Sequence, residues 1–139
     1  MRKLLIPSAF LLMIASSSCK KSDSNCGLSL ETLKGTYKVT ASVYKETPTS
    51  TPVDEFALWD ACEKDDTVTF GDANVITFTD AGTSCDPSGS GVAVWTLSGN
   101  TLIIDGETYD VSSFSCSGMT IIWQDDTTDE TGTITLKKV

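Results

Sequence analysis

The sequence predicts an all-β fold, an antiparallel sheet of eight strands with one apolar face. Three observations carry this. Many of the 20 threonines alternate with Val, Ile, Phe or Trp, the period-two pattern of strands with one buried side. Turn signals recur at short intervals, among them Gly71-Asp72-Ala73-Asn74, Ser98-Gly99-Asn100, Asp105-Gly106 and Ser117-Gly118. The second half is joined by tight hairpin connections, so successive strands are antiparallel neighbours. Such a sheet covers its apolar face by closing into a barrel or folding into a sandwich. Closure also removes the exposed edges.

The chain starts with a basic Met1-Arg2-Lys3, an apolar run over residues 4–15, and Ser16-Ser17-Ser18-Cys19. The run contains Pro7 and falls short of the about 20 apolar residues a spanning helix needs. It fits the apolar region of a secretory signal. Small residues before a cysteine make residues 1–18 read as a bacterial lipoprotein signal peptide, cleaved before Cys19, which then carries the lipid. Ser16 stands where that pattern usually has an aliphatic residue. Multiple acyl chains hold a protein stably on a membrane. Residues 19–27 form a polar tether. Residues 28–139 form one domain, uninterrupted by any linker-like stretch and long enough to bury a core.

Within that domain, residues 29–34 read as one helical turn with Ser29 as N-cap. The strands fall at 35–44, 66–71, 75–79, 91–98, 101–105, 107–114, 119–124 and 131–138. Residues 45–52 carry two prolines and read as a loop. Residues 54–62 read as a short helix capped by Asp54, with Phe56, Leu58 and Trp59 seeking burial. The Asp105-Gly106 pair favours a type I′ turn.

Charge and cysteines narrow the chemistry. The net charge is −9, and loss of Arg2 and Lys3 with the leader makes it −11. Arg2 is the only arginine and the chain has no histidine. Nucleic-acid binding needs basic patches, charge-relay nucleophiles and most zinc sites need histidine, and phosphate clamps mostly need arginine. An enzyme is therefore not expected, and acidity of this kind serves solubility. The acidic pairs Asp65-Asp66, Asp125-Asp126 and Asp129-Glu130 lack a calcium-loop spacing and read as solvated loops. No cofactor or metal is expected. With Cys19 lipidated, Cys26, Cys62, Cys85 and Cys116 remain, an even number that implies two disulfides in an oxidising compartment. Three connectivities are possible.

Leu33-Lys34-Gly35-Thr36-Tyr37-Lys38-Val39 resembles the Gly-x-Trp start of lipocalins, with Tyr37 in the Trp position. Trp59-Asp60-Ala61-Cys62-Glu63-Lys64-Asp65-Asp66 followed by Thr67-Val68-Thr69-Phe70 is similar to the lipocalin-like domain common in Bacteroidetes lipoproteins. So are the later Cys85 and the hairpin of Val94-Trp95-Thr96-Leu97-Ser98-Gly99-Asn100-Thr101-Leu102. The resemblance implies an antiparallel eight-stranded up-and-down barrel, here with one or two short helical turns. It also implies a disulfide between Cys62 and Cys85, and small-molecule binding by analogy. Cys26 and Cys116 lie outside the shared pattern; we expect them to bridge as well, pinning the N-terminal start of the domain to a late strand.

Eight-stranded barrels are just wide enough to be filled by side chains or to hold one small ligand. The expected inward set is Tyr37, Val39, Val68, Phe70, Ile76, Phe78, Trp95, Leu97, Leu102, Ile104, Val111, Ile121, Trp123, Ile134 and Leu136. The large residues favour a solid interior. A ligand pocket would instead be apolar with few polar fixtures, and its expected contacts are Tyr37, Phe70, Phe78, Trp95 and Trp123. The helix bearing Phe56 and Trp59 is expected to plug one end of the barrel. The functional expectation is a monomeric, lipid-anchored cell-envelope protein of the outer membrane, on its periplasmic or surface face. It is non-catalytic and binds a small apolar or amphipathic ligand. The alternative is an accessory or inhibitor-like protein with a filled barrel, acting through its loops on an envelope protein or glycan.

Overall fold

The computed structural model describes residues 26–139. The leader, the lipidation residue Cys19 and all but the end of the tether lie outside them. The described chain runs α1 (Leu30–Leu33), β1 (Gly35–Lys45), β2 (Val53–Asp54), α2 (Glu55–Leu58), α3 (Ala61–Lys64), β3 (Thr67–Phe70), a 3₁₀ turn (Asp72–Asn74), β4 (Val75–Thr79), β5 (Gly91–Ser98), β6 (Thr101–Ile104), β7 (Glu107–Ser115), β8 (Gly118–Gln124) and β9 (Thr131–Lys138). The sheet order is β2-β1-β3-β4-β5-β6-β7-β8-β9, every pairing is antiparallel, and β1 also pairs with β9. Eight strands therefore close into an up-and-down barrel. The two-residue β2 pairs outside the closed ring, against Val43 and Tyr44 of β1.

Local chemistry explains most boundaries. Ile104 pairs with Glu107 across the two-residue turn Asp105-Gly106. Both turn residues have positive φ, 50° and 90°, the type I′ geometry that asparagine, aspartate and glycine accept. The helix expected over 54–62 is two single turns. Asp54 Oδ1 caps α2 by accepting from the Ala57 amide at 3.0 Å. Trp59 and Asp60 are then extended. Asp60 starts α3 in a capping box, its own amide donating to Glu63 Oε2 at 2.7 Å. A second N-cap, Asp60, five residues after the first helix begins at Glu55, is what breaks the helix.

Two β-bulges shift the inward pattern, at Thr40 between β1 and β9 and at Ser112 between β7 and β8. Each bulged residue puts its hydroxyl on a partner-strand carbonyl, Thr40 on Thr135 (3.3 Å) and Ser112 on Thr120 (3.1 Å). After a bulge the alternation changes phase. Thus Val39 and Ser42 both face inward, as do Val111 and Phe114.

The core is concentrated at the pole where β1 begins. Leu33, Tyr37, Phe70, Ile76, Trp95 and Leu102 are fully buried there. The Tyr37 and Phe70 rings meet edge to face at 5.7 Å, and Phe70 meets Trp95 the same way at 5.3 Å. Tyr37 donates its hydroxyl to the Leu33 carbonyl at 2.8 Å, and Trp95 Nε1 donates to the Val75 carbonyl at 3.2 Å. Buried polar tips are thereby satisfied. Helix α1 caps this pole. Ser29 and Thr32 form its capping box, and Lys138 Nζ from the end of β9 donates to the Lys34 and Thr32 carbonyls at 2.6 and 3.2 Å. Lys34 pairs with Glu31 and with Asp72 beyond β3. The disulfide Cys26–Cys116 ties the start of the described chain to the β7–β8 turn. This pole is closed.

Titration reports on the packing. The chain has three tyrosines, and all are shifted upward. Burial raises Tyr37; burial and then the Glu107 charge raise Tyr109. A hydrogen bond to Glu130 pushes Tyr44 up to about 12. In each case the fold favours the neutral phenol. The associated stability is intact below about pH 10, the unfolded value, and is lost as pH rises through the native values. Tyrosinate absorbance during an alkaline titration should therefore rise late in the native protein and near pH 10 once it is unfolded. A native tyrosine titrating at its ordinary value would contradict the placement.

Candidate functional site: an apolar cavity at the open pole

Strand direction alternates around a meander, so the pole opposite α1 gathers the ends of β1, β4, β6 and β8 and the starts of β3, β5, β7 and β9. Here the barrel is hollow. A cavity of about 400 Å³ opens at this pole, within the range of small-ligand sites. The expectation of a solid interior is corrected: aromatics fill one half, and the other half is lined by smaller branched residues. Its walls are Val39, Val68, Ile104, Ile121 and Ile134, with Phe70 and Leu136 among the lining residues that also belong to the core. Phe78, Tyr109 and Trp59 supply aromatic surface nearer the mouth.

The mouth is built by α2, α3 and the loop of residues 80–90. Three carboxylates hold that loop by its backbone. Asp66 Oδ1 accepts from the Ala81 amide (3.0 Å), Asp65 Oδ2 from the Thr83 amide (2.9 Å), and Asp80 from the Cys85 amide (3.2 Å). The disulfide Cys62–Cys85 joins the loop to α3. Cys85, Pro87 and Gly89 of the loop line the cavity together with Glu63 of α3. Helix α2 lies over the far part of β1, where buried Ser42 donates to Glu55 Oε2 at 3.0 Å. Trp59 and Phe56 contact each other with centroids 5.4 Å apart, so the helical segment roofs part of the barrel end while Trp59 faces the cavity.

The five expected ligand contacts divide. Phe70 and Phe78 line the cavity. Tyr37 and Trp95 are instead walled into the closed half and do not reach the cavity lining; with no cavity access, a ligand contact there is excluded by packing. Trp123 sits at the rim, off the main cavity. It packs onto Gly132, its cross-strand neighbour, so closely that a Cβ there would overlap the indole. Its ring lies 6.3 Å from that of Tyr44. It lines a separate polar groove of about 490 Å³ beside Glu107, Asp125 and Asp126. In that groove Asp125 is held below the usual carboxylate range, chiefly by hydrogen bonds from Thr127. Sequence reasoning missed Tyr109, Glu63 and Asp66 as lining residues. Tyr109 shares the parity of Val111 and was legible; the two acids became legible only with the α3 turn in place.

A closed antiparallel barrel of eight strands, sealed at one pole and carrying an apolar cavity at the other, is an up-and-down barrel of lipocalin-like type. The chain belongs to the lipocalin-like domain family, whose model matches residues 33–138. No match was found among curated proteins or solved structures.

Proposed function

We propose that this protein is a non-catalytic, lipid-anchored envelope protein that binds one small apolar or amphipathic ligand at the open pole of its barrel. The observation that carries the reading is the 400 Å³ apolar cavity, walled by side chains from seven of the eight barrel strands and roofed by a disulfide-tied loop. The anchor at Cys19 and the outer-membrane location rest on the leader sequence. Cys26 is bridged at the closed pole, so a lipid on Cys19, seven residues before it, would hold the mouth on the far side of the barrel from the membrane. Ligand then arrives from the aqueous side, periplasmic or external, and the protein works within a tether's reach of the bilayer.

The test uses N-phenyl-1-naphthylamine, a neutral apolar fluorophore. Saturable one-to-one binding with blue-shifted emission is expected. Ile104→Trp, which fills the cavity at a cost of about 1–3 kcal/mol, should abolish it while the variant stays folded by circular dichroism. Unsaturable binding, or equal binding by the filled variant, rules the carrier reading out. A second reading, contact with another envelope protein, draws support from Val75, Val92 and Val94, which stand exposed beside one another on β4 and β5. Photo-crosslinking from position 92 in intact cells would recover that partner or dismiss it.

A further inference from the structure

We infer that the cavity selects amphiphiles with a cationic head, an amine or quaternary ammonium, over the fatty acids that an apolar barrel would otherwise also accept. This deepens, and rests on, the reading of the cavity as a ligand site. The apolar walls would take an alkyl or ring portion of any charge type, so selection falls to the mouth. Two carboxylates, Glu63 and Asp66, stand among the lining residues, and none of those residues is Lys, Arg or His. Each acid is positioned by one oxygen on a backbone amide, Glu63 Oε2 on Asp60 and Asp66 Oδ1 on Ala81. The second oxygen of each is left for a ligand.

The nearest lysine in sequence does not neutralise them. Lys64 Nζ donates to the Ala57 carbonyl at 3.3 Å and lies over the Phe56 ring at 5.7 Å, so it is engaged on α2. Trp59 at the mouth adds an aromatic face, the surface on which alkylammonium groups are held. A carboxylate headgroup brought to the same place would be desolvated beside two like charges with no cationic side chain to meet it. The net charge of −9 acts in the same sense at longer range.

Matched twelve-carbon ligands test this by displacement of the naphthylamine probe below their micelle concentrations: dodecyltrimethylammonium, 1-dodecanol and dodecanoate. The cation is expected to bind about ten-fold tighter than the alcohol, the alcohol tighter than the carboxylate, and the cation's advantage should shrink with added salt. The double variant Glu63→Gln/Asp66→Asn keeps both backbone acceptors, since glutamine serves a capping box and asparagine retains its carbonyl oxygen. It should bring the cation-to-alcohol ratio close to one. The control Glu31→Gln/Asp72→Asn removes the same charge at the closed pole and should leave the ratio as in wild type. Equal affinities, a preference for dodecanoate, or an equal response of the two double variants would overturn the inference while leaving the cavity a binding site. Binding of none of the three ligands or the probe would overturn both.

Discussion

Trp95→Ala is expected to destabilise the protein by about 3–5 kcal/mol, a large share of the 5–15 kcal/mol that holds a typical domain folded. The indole is fully buried and closes a ladder of edge-to-face rings running Tyr37, Phe70, Trp95. Its loss removes both the transfer energy of the largest buried side chain and the support of the Phe70 ring. The hydrogen bond matters less, because the Val75 carbonyl also accepts from the Gly71 amide at 2.8 Å and stays satisfied. The void would adjoin Phe70, which also lines the cavity, so the variant should favour longer ligands than wild type does. Trp59→Ala is the matched control. Trp59 is only half buried on a short helical segment, so its removal should change stability by less than about 1 kcal/mol yet weaken ligand binding. Urea unfolding followed by circular dichroism separates the two. A Trp95→Ala protein within 1 kcal/mol of wild type would show that the closed pole is not the packed half.

Strand positions were legible because period-two alternation and turn residues are local signals. The Asp105-Gly106 hairpin is the clearest instance, and the paired strands around it lie within a residue or two of expectation. What was not legible depends on register. Thr40 and Ser112 look like ordinary strand residues, yet each is a bulge that turns the following residues over. Burial of Ser42 and the inward turn of Phe114 follow from them. The Asp60 N-cap that splits the helical segment competes with an apolar pattern that runs straight through it.

The division of the barrel into a filled and a hollow half has the same origin. An inward side chain is easily recognised along one strand, but its height along the barrel axis is set by the partners of that strand. Tyr37, Phe70 and Trp95 come from the start of β1, the end of β3 and the middle of β5 and pack together in the closed half. Val39, Val68, Ile104 and Ile134 land higher and leave space. Nothing in residue type alone says that the aromatics share a level. Trp123, the same residue type and the same inward parity, ends at the rim because β8 runs the other way.

The two disulfides should prove unequal, and in opposite senses for stability and for binding. Cys26–Cys116 joins positions 90 apart and Cys62–Cys85 positions 23 apart. Chain-entropy reasoning then assigns about 4–5 kcal/mol to the first and about 3 kcal/mol to the second. The first bridge also fastens the segment leading into α1, whose Leu33 seals the closed pole and receives the Tyr37 hydroxyl. Cys26→Ser/Cys116→Ser should therefore show the larger fall in midpoint on urea unfolding, with ligand affinity altered only through stability. Cys62→Ser/Cys85→Ser should lose less stability but exchange ligand faster, because Cys85 lines the cavity and the bridge joins the 80–90 loop to α3. The aspartate–amide bonds would still hold that loop in place, so faster release rather than collapse of the site is expected. Stopped-flow displacement of the naphthylamine probe measures the release rate directly. If the two double variants released the probe at the same rate, the tie between the 80–90 loop and α3 would have no part in retaining the ligand.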